Sequence, residues 1–398
     1  MSGPRAQDAK DVVISFDAPP ALGGAHTWLY EVYRRWSRPV LFVTRRAKHE
    51  DVETLRQFDA QKHQSVRFRR SLAPITHFSL TSGATWRVLR QHFFELRRLI
   101  GGDPVRFHCV RPFYEGIIPA ILRRLHPSKA KLIVYVHGEE LNVASTSGLL
   151  KAITLFVLKS ADLVIVNSQN TASMVDQTVK LKNMSVIHPG VKVTDYHFDA
   201  RICAEKRQAL GVSKETVLVF SVARMEQRKN HAGVIRAVAR ALGEGLPIML
   251  VMASEGPEYQ ALVDLTQELK LEEHVRFLGR IDESEKKLLF ASADIHMMPS
   301  IQSGPMIEGF GIVFLEAAAA CTASIAGNSG GQSEAVRHQT TGFVVDGENQ
   351  DELYQALRDL CTDVSLREKM AKASLAFASQ HDWQNVVERT DSALQSTR

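Results

Sequence analysis

The sequence has few cysteines and no long hydrophobic run. Its 398 residues include four cysteines, which lie far apart and show neither a pairing pattern nor metal-site spacing. This excludes disulfide scaffolds and zinc modules and is typical of a reducing compartment. The most apolar segment, residues 149–166, is interrupted by two lysines and an aspartate, whereas a membrane-spanning helix needs about 20 apolar residues. The polar residues 1–10 have no signal-peptide core, so we expect a cytoplasmic protein.

Three ligand-binding motifs are also missing. The chain has no G-x-G-x-x-G turn, which argues against a nicotinamide dinucleotide site, and no G-x-x-x-x-G-K-[ST] phosphate loop. It has no D-x-D pair that would hold a divalent metal. We therefore expect neither a cofactor nor a metal.

Positive charge is concentrated in the first half of the chain. Residues 1–191 contain 27 Lys and Arg against 15 Asp and Glu, a net charge of +12, within an overall charge of +5. Residues 192–398 carry a net charge of −7. The imbalance predicts that the first half meets an anionic partner, such as a lipid surface, a phosphorylated acceptor or nucleic acid. We find no RNA-binding motif, so we expect no nucleic-acid partner.

Short β-branched runs alternate with helical patterns along the chain, which is typical of parallel α/β sheets. The strand candidates include residues 217–222 and 295–298, and the helix candidates include residues 148–160 and 333–338. About thirteen strand candidates are too many for one sheet. We therefore predict two Rossmann-like domains, residues 1–191 and 192–380, with a hinge near the Pro189-Gly190 turn and a final helix within 381–398.

Two loops carry groups that suit a phosphate. Gly23 and Gly24 follow the first strand and precede a helix, where backbone N–H groups can approach an anion. Arg224 and Lys229 follow the first strand of the second domain and would offer a planar fork and a point charge to a diphosphate. An ordinary tight turn and a solvated basic loop are the alternatives.

Two glutamates, Glu308 and Glu316, flank the stretch Gly309-Phe310-Gly311-Ile312-Val313-Phe314-Leu315. Glycines beside a helix start would expose amides to an anion, Glu316 could accept hydrogen bonds from a ribose diol, and Glu308 from a sugar. In the alternative, Glu316 is a favourable first-turn acid and Glu308 a surface charge.

Two further strand ends carry polar residues. Residues 327–334, which read GNSGGQSE, form a strand-to-helix turn. His137 ends a buried strand, which places it either at the ligand edge of the first sheet or within the packed core.

Residues 84–101 form an arginine-rich amphipathic helix pattern. One face of this pattern carries Trp86, Leu89, Phe93, Leu96 and Ile100, with four arginines around it. Such a helix would dock on an anionic inner membrane or pack in the core with arginine at its edges.

Taken together and in order, these motifs resemble the retaining glycosyltransferases of GT-B family 4, which use nucleotide-sugar donors. The resemblance also includes residues 253–258 and the FLGRI stretch at 277–281, and it covers nearly the whole chain. It departs from the family pattern at His188, Lys192 and Ala223 and in residues 320–324. It implies an α/β fold with two Rossmann-like domains facing each other across a cleft and a C-terminal helix that returns to the first domain.

The resemblance also implies residue roles. Arg224 and Lys229 would hold the donor diphosphate, Glu308 the sugar hydroxyls and Glu316 the ribose. His137 would face the donor sugar. The predicted catalytic residues are Arg224, Lys229, Glu308 and His137, and the predicted substrate-binding residues are Gly23, Gly24, Phe310, Gly311, Ile312, Val313, Glu316 and Arg280.

The implied function is metal-independent, retaining hexosyl transfer from a nucleotide sugar to a glycan or lipid-linked acceptor, as in exopolysaccharide or lipopolysaccharide synthesis. The first domain would bind the acceptor and the second the donor, with peripheral contact at the inner membrane left open. GDP-mannose is favoured over a UDP-sugar. A sugar-nucleotide epimerase and a non-catalytic membrane- or nucleic-acid-binding module remain the alternatives.

Overall fold

The computed structural model describes residues 10–17, 19, 23–46, 52–61, 64–73, 79 and 81–396. Residues 1–9, which include most of the polar N-terminus, lie outside the described residues. The chain divides into two compact units, Met1–His188 with Trp383–Arg398 and Pro189–Asp382. We call them the N-terminal and C-terminal units; they divide within a few residues of the predicted domain limits.

The N-terminal unit contains a seven-stranded parallel sheet with strand order β3-β2-β1-β4-β5-β6-β7. Its strands are β1 Lys10–Ile14, β2 Val40–Arg45, β3 Val66–Leu72, β4 Val105–Cys109, β5 Ala130–Val136, β6 Leu163–Val166 and β7 Met184–Val186. Its first seven helices are α1 Gly24–Arg34, α2 Val52–Ala60, α3 Gly83–Arg97, α4 Ile117–Leu125, α5 Glu139–Ser145, α6 Gly148–Ser160 and α7 Gln169–Thr178.

The C-terminal unit contains a six-stranded parallel sheet with strand order β10-β9-β8-β11-β12-β13. Its strands are β8 Val217–Val222, β9 Ile248–Ala253, β10 Val275–Phe277, β11 Ile295–Met298, β12 Ala323–Gly327 and β13 Gly342–Val345. Its helices are α8 Ala200–Ala209, α9 His231–Gly243, α10 Tyr259–Glu268, α11 Glu283–Ser292, α12 Ile312–Ala319, α13 Gln332–Ala335, α14 Gln350–Thr362 and α15 Val364–Ser379, with 3-10 turns at Val193–Tyr196 and Gln227–Lys229.

Burial on both faces explains why the central strands are mostly apolar, although β4 also carries the buried Arg106 and His108. Every residue of β4, β8, β9 and β11 is buried, as is usual for parallel strands covered by helices on both sides. The order of strands reverses between β1 and β4 in one unit and between β8 and β11 in the other. Ligands bind beside such reversals, at the carboxyl ends of the strands.

The last helix, α16 (Trp383–Gln395), belongs to the N-terminal unit and packs against α1. Trp383, Val386 and Leu394 are buried in one cluster with Trp28 and other N-terminal residues. The two-unit α/β architecture confirms the predicted fold class.

The exposed face of α3 differs from the predicted one. Leu89 and Leu96 are buried as expected, but Trp86 is 55% exposed, so placing it on the same apolar face was wrong. Trp86 and Phe94 lie eight residues apart, with Arg90 midway, and all three are exposed. Positions four residues apart share one helix face, so the outer face of α3 combines two aromatic rings with arginine.

Candidate active site

The loop after β8 begins the site in the C-terminal unit. It passes through the turn Gln227–Lys229 and ends at Asn230, whose left-handed backbone (φ 56°) starts α9. The Asn230 side chain donates to the carbonyl of Gly347 at 2.6 Å, and Ile301 N–H donates to the carbonyl of Arg228 at 2.8 Å. These bonds fix the loop beside the segments that follow β11 and β13.

One carboxylate oxygen of Glu308 accepts hydrogen bonds from two cationic side chains. Lys229 Nζ and Arg228 Nη1 both donate to Oε2, the arginine at 3.1 Å. All three side chains are largely buried. Burial alone would raise the pKa of Glu308, but the charges and hydrogen bonds of Lys229 and Arg228 hold it below its ordinary value. The result is an ionised, hydrogen-bonded carboxylate at a sheet edge.

A glycine turn sets the position of Glu308. Gly331 N–H donates to the Glu308 carbonyl at 2.9 Å, and a Cβ on Gly330 (φ 69°) would lie 2.1 Å from that carbonyl oxygen. The buried Gln332 amide secures the turn by accepting from Ser300 and Gly327 N–H and donating to the carbonyls of Ser300 and Ser329. The motif around Gln332 therefore supports Glu308.

The predicted cradle of amides lies at the start of α12. Phe310 is buried, and Gly311 (φ 87°) precedes the helix, so Ile312 and Val313 form its first turn. The first amides of a helix have no intrahelical acceptor and favour an anion. Gly311 has no room for a larger residue, because an added Cβ would lie 2.7 Å from the Phe314 ring.

Glu316 is held by two residues from other elements. Lys286 Nζ on α11 donates to Oε1 at 2.9 Å, and the Tyr196 hydroxyl is also hydrogen-bonded to the Glu316 side chain. Burial disfavours the charged form of Lys286, yet Glu316 and Glu283 raise its pKa. Burial and the charge of Glu316 raise the pKa of Tyr196.

Arg224 and Arg280 lie on the surface of the same unit. The Arg224 side chain is 70% exposed and pairs with Glu226 at 3.0 Å. Arg280 is 79% exposed and pairs with Glu255 at 2.9 Å. Both guanidinium groups are exposed and therefore accessible to a ligand. The contacts with substrate that the sequence predicts for them remain predictions.

His137 follows β5 in the N-terminal unit. Its Nε2 lies 3.0 Å from the carbonyl of Val110, its backbone N–H donates to Glu140 at 3.1 Å, and its ring stands edge-on to Trp28. Burial, aided by the charge of Arg111, lowers the pKa of His137 to about 3. The imidazole is therefore neutral at physiological pH.

Gly23 and Gly24 begin α1 in the same unit. Gly23 is the N-cap residue, and Thr27 N–H donates to its carbonyl at 2.9 Å. The turn thus leads directly into the helix, as the sequence predicts; Leu22 lies outside the described residues.

Four residues escaped the sequence analysis as parts of the site. Arg228 and Gln332 stand inside the motifs that define it, so their positions gave a local signal. Tyr196 and Lys286 gave none, because they reach Glu316 only through the tertiary fold.

Within the described ranges, no group of three or more His, Cys, Asp or Glu side chains could hold a metal ion. In the same part of the chain, no helix is long and apolar enough to span a membrane.

Comparison with known families matches both halves of the chain. The model of glycosyl transferases group 1 matches residues 204–376, and that of glycosyltransferase family 4 matches residues 22–195. The chain belongs to this glycosyltransferase family.

Similar curated proteins carry related names. A GDP-mannose-dependent α-(1-6)-phosphatidylinositol monomannoside mannosyltransferase of Mycolicibacterium smegmatis is 30% identical over 303 residues, 73% of this chain and 75% of that protein. The corresponding Mycobacterium tuberculosis protein is 35% identical over 185 residues, and the match spans about half (47%) of its length. A GDP-mannose-dependent monoacylated α-(1-6)-phosphatidylinositol monomannoside mannosyltransferase of Corynebacterium glutamicum is 26% identical, covering 97% of this chain and 98% of its own.

Solved structures share the fold. Anabaena Alr3699/HepE in complex with UDP and glucose has a TM-score of 0.79 at 21% identity, covering 98% of this chain and all of its own. WaaG, a glycosyltransferase involved in lipopolysaccharide biosynthesis, has a TM-score of 0.69 at 15% identity, covering 96% of this chain and 99% of its own.

Proposed function

We propose that this protein is a metal-independent, retaining glycosyltransferase that moves a hexosyl unit from a nucleotide sugar to a glycan or lipid-linked acceptor in cell-surface polysaccharide or glycolipid synthesis. The observation that carries the proposal is the buried Glu308 carboxylate, which is held by Lys229 and Arg228 beside the start of α12. Family membership supports the same class of reaction.

The reaction needs its departing diphosphate to be neutralised. Lys229, the accessible Arg224 and the first amides of α12 supply positive charge for that purpose, and groups preorganised in this way lower the barrier most effectively. We expect activity to persist in EDTA. Loss of transfer in EDTA that Mg²⁺ restores would overturn the metal-independent part of the proposal.

The sugar would be retained by same-face substitution. The bond from the anomeric carbon to the diphosphate breaks, the bond to the acceptor oxygen forms on the same face, and the leaving phosphate oxygen takes the proton of the acceptor hydroxyl. NMR of the product tests this directly, because an α donor should give an α product. A β product would reject the mechanism.

We propose GDP-mannose as the donor. The names of the Mycolicibacterium, Mycobacterium and Corynebacterium relatives support it. A thermal-shift panel of GDP-mannose, UDP-glucose and ADP-glucose should show the largest rise with GDP-mannose, since a ligand at 100 times its Kd stabilises by about 2.7 kcal/mol. Glu316→Ala should remove the shift, whereas the exposed Glu273→Gln control should keep it. A larger thermal shift with UDP-glucose than with GDP-mannose would overturn the donor assignment. Epimerisation of the donor in the absence of an acceptor would overturn the proposal that the protein is a transferase.

We also propose that the outer face of α3 contacts an anionic membrane. Exposed Trp86 and Phe94 with Arg90 supply aromatic rings and positive charge. Such faces bind anionic lipid surfaces.

Vesicles containing phosphatidylglycerol should sediment the wild type at low salt. Trp86→Ser with Phe94→Ser should abolish sedimentation, and Ile202→Ser, an exposed site in the other unit, should not. Equal sedimentation of all three would end this proposal.

A further inference from the structure

A basic cluster lies at the carboxyl edge of the N-terminal sheet. Asp17 follows β1, Arg45 ends β2, Arg111 follows β4 and His26 lies in the first turn of α1; we call these four residues the Arg111 cluster. The strands β2, β1 and β4 are adjacent, and the strand order reverses between β1 and β4. The cluster therefore occupies the edge where a doubly wound sheet binds ligands.

Glu115 fixes the backbone of Arg111. Its Oε2 accepts the Arg111 backbone N–H at 2.7 Å, and its Oε1 accepts the Phe16 N–H at 2.9 Å. Glu115 is buried. One carboxyl group thus joins the ends of β1 and β4, and the Arg111 side chain extends from a fixed point.

The Arg111 guanidinium has unused donor capacity. Among the described residues it makes one hydrogen bond, from Nη2 to His26 Nε2 at 3.4 Å, and its nearest carboxylate oxygen, on Asp17, lies 4.0 Å from Nη1. A guanidinium has five N–H donors. Its side chain is 43% exposed, so the remaining donors are accessible to a ligand.

The cluster carries net positive charge. Asp17 is shared between Arg111 and Arg45, which approaches it at 3.3 Å. Burial, followed by the charge of Arg111, lowers the pKa of His26 to about 4, and burial raises the pKa of Glu115 to about 8. Among the described residues, Asp17 is the carboxylate that lies within 4 Å of both guanidinium groups.

The helix start points to the same place. His26 lies against Gly23, where an added Cβ would be 3.1 Å from the His26 ring. The first amides of α1 follow at once, and they favour an anion. His26 therefore links the Arg111 guanidinium to the glycine turn.

We infer that Arg111, together with His26 and the start of α1, forms a phosphate-binding subsite in the N-terminal unit. Its ligand is a phosphate group, and the planar fork of arginine suits two phosphate oxygens at once. The role in catalysis rests on the proposed function: the phosphate belongs either to the acceptor or to the donor.

A binding experiment tests the subsite without any transfer assay. Inorganic phosphate is titrated into the full chain while NMR follows the imidazole signals of His26 and His137. The wild type should show saturable shifts. Arg111→Gln keeps the N–H that Glu115 accepts and should weaken binding at these reporters about tenfold or more, as expected for a lost charge-assisted pair. The exposed Arg67→Gln on β3 serves as control and should bind like the wild type. No shift in the wild type, or equal binding by Arg111→Gln, would overturn the inference.

Kinetics then separate the two sources of phosphate. If the acceptor supplies the group, Arg111→Gln raises the acceptor KM about tenfold, and inorganic phosphate competes with the acceptor. If the donor supplies the group, Arg111→Gln raises the donor KM instead, and inorganic phosphate competes with the donor. Unchanged KM values for both substrates would overturn the catalytic role. A wild type that transfers no sugar but binds phosphate through Arg111 would refute the proposed function and leave the subsite intact.

Discussion

Arg224 and Arg228 belong to one loop, yet their side chains have different surroundings. Arg228 is only 16% exposed and contacts Glu308, whereas Arg224 is mostly in solvent. Arg228→Gln should lower the free energy of unfolding by about 1–3 kcal/mol, because a buried charged partner loses a hydrogen bond. It should also reduce kcat. Arg224→Gln should leave Tm unchanged and reduce kcat about 100-fold, as for a lost oxyanion donor.

Urea unfolding and steady-state kinetics on the two variants check this pair. The matched substitution makes each variant the control for the other. Equal losses of stability in both would show that Glu308 does not depend on Arg228.

Lys286 and Tyr196 position Glu316, so they should affect donor binding without touching the reacting atoms. Lys286→Met should raise the donor KM about tenfold with little change in kcat, because Glu316 loses a charged partner that orients it. Lys206→Met removes a comparably buried lysine that pairs with Glu285 and should leave the donor KM unchanged. A fall in kcat at constant KM would argue against a positioning role.

Glu115 should make stability depend on pH in an unusual direction. Its folded pKa of about 8 lies above its ordinary value of 4.5. The folded state therefore binds one more proton than the unfolded state between these values, and stability is lost as pH rises through that window. The slope contributed by this group is about 1.4 kcal/mol per pH unit.

Urea unfolding at pH 5.5 and 7.5 measures this effect. Wild-type stability should fall more between these pH values than that of Glu115→Gln, which cannot ionise. If the free energy of unfolding of both proteins falls equally between these pH values, another group is responsible for the pH dependence.

At the scale of elements, the glycine turn between β12 and α13 supports the whole Glu308 loop. Gly330→Ala should lower Tm and activity together, because its Cβ would overlap the Glu308 carbonyl and its φ is positive. Gly243→Ala at the end of α9 meets no atom within 4 Å and should be neutral or slightly stabilising. Circular dichroism melts and the transfer assay compare the variants, and an unchanged Gly330→Ala protein would contradict this account.

Element prediction succeeded where burial imposes a pattern. The predicted helix 148–160 and strands 217–222 and 295–298 have the observed bounds. The buried residues of the helix are spaced as one helix face, and the two strands are short runs in which every residue is buried. The helices α2 and α8 were missed because neither contains a buried residue, which leaves no apolar stripe to detect. The helices α5, α7 and α15 were missed as well, although each contains buried residues. The predicted helix 333–338 was too long: α13 ends at Ala335 because Val336 is extended.

Sequence motifs indicated the candidate site residues that lie close together along the chain. Lys229, Glu308 and Glu316 were predicted in this way, and the structure brings Lys229 and Glu308 into contact. The contacts of Lys286 and Tyr196 with Glu316 could not be predicted, because they depend on how α11 and the turn Val193–Tyr196 pack around α12.

At the scale of the molecule, each unit has its own sheet and its own buried clusters. Binding of GDP should therefore slow hydrogen exchange mainly in the C-terminal unit, at residues 223–230 and 307–316, where the loop cations and the α12 amides lie. Mass spectrometry of peptides with and without GDP checks this, with α3 as the internal control. Protection spread equally over α3 and these loops would contradict a nucleotide site in the C-terminal unit.

The return of α16 to the N-terminal unit has a consequence for synthesis on the ribosome. The apolar surface of α1 that Trp383 and Val386 cover stays exposed to solvent until α16 has left the exit tunnel. The unit made first is therefore completed last, and nascent chains stalled before residue 383 should bind chaperones through that uncovered surface.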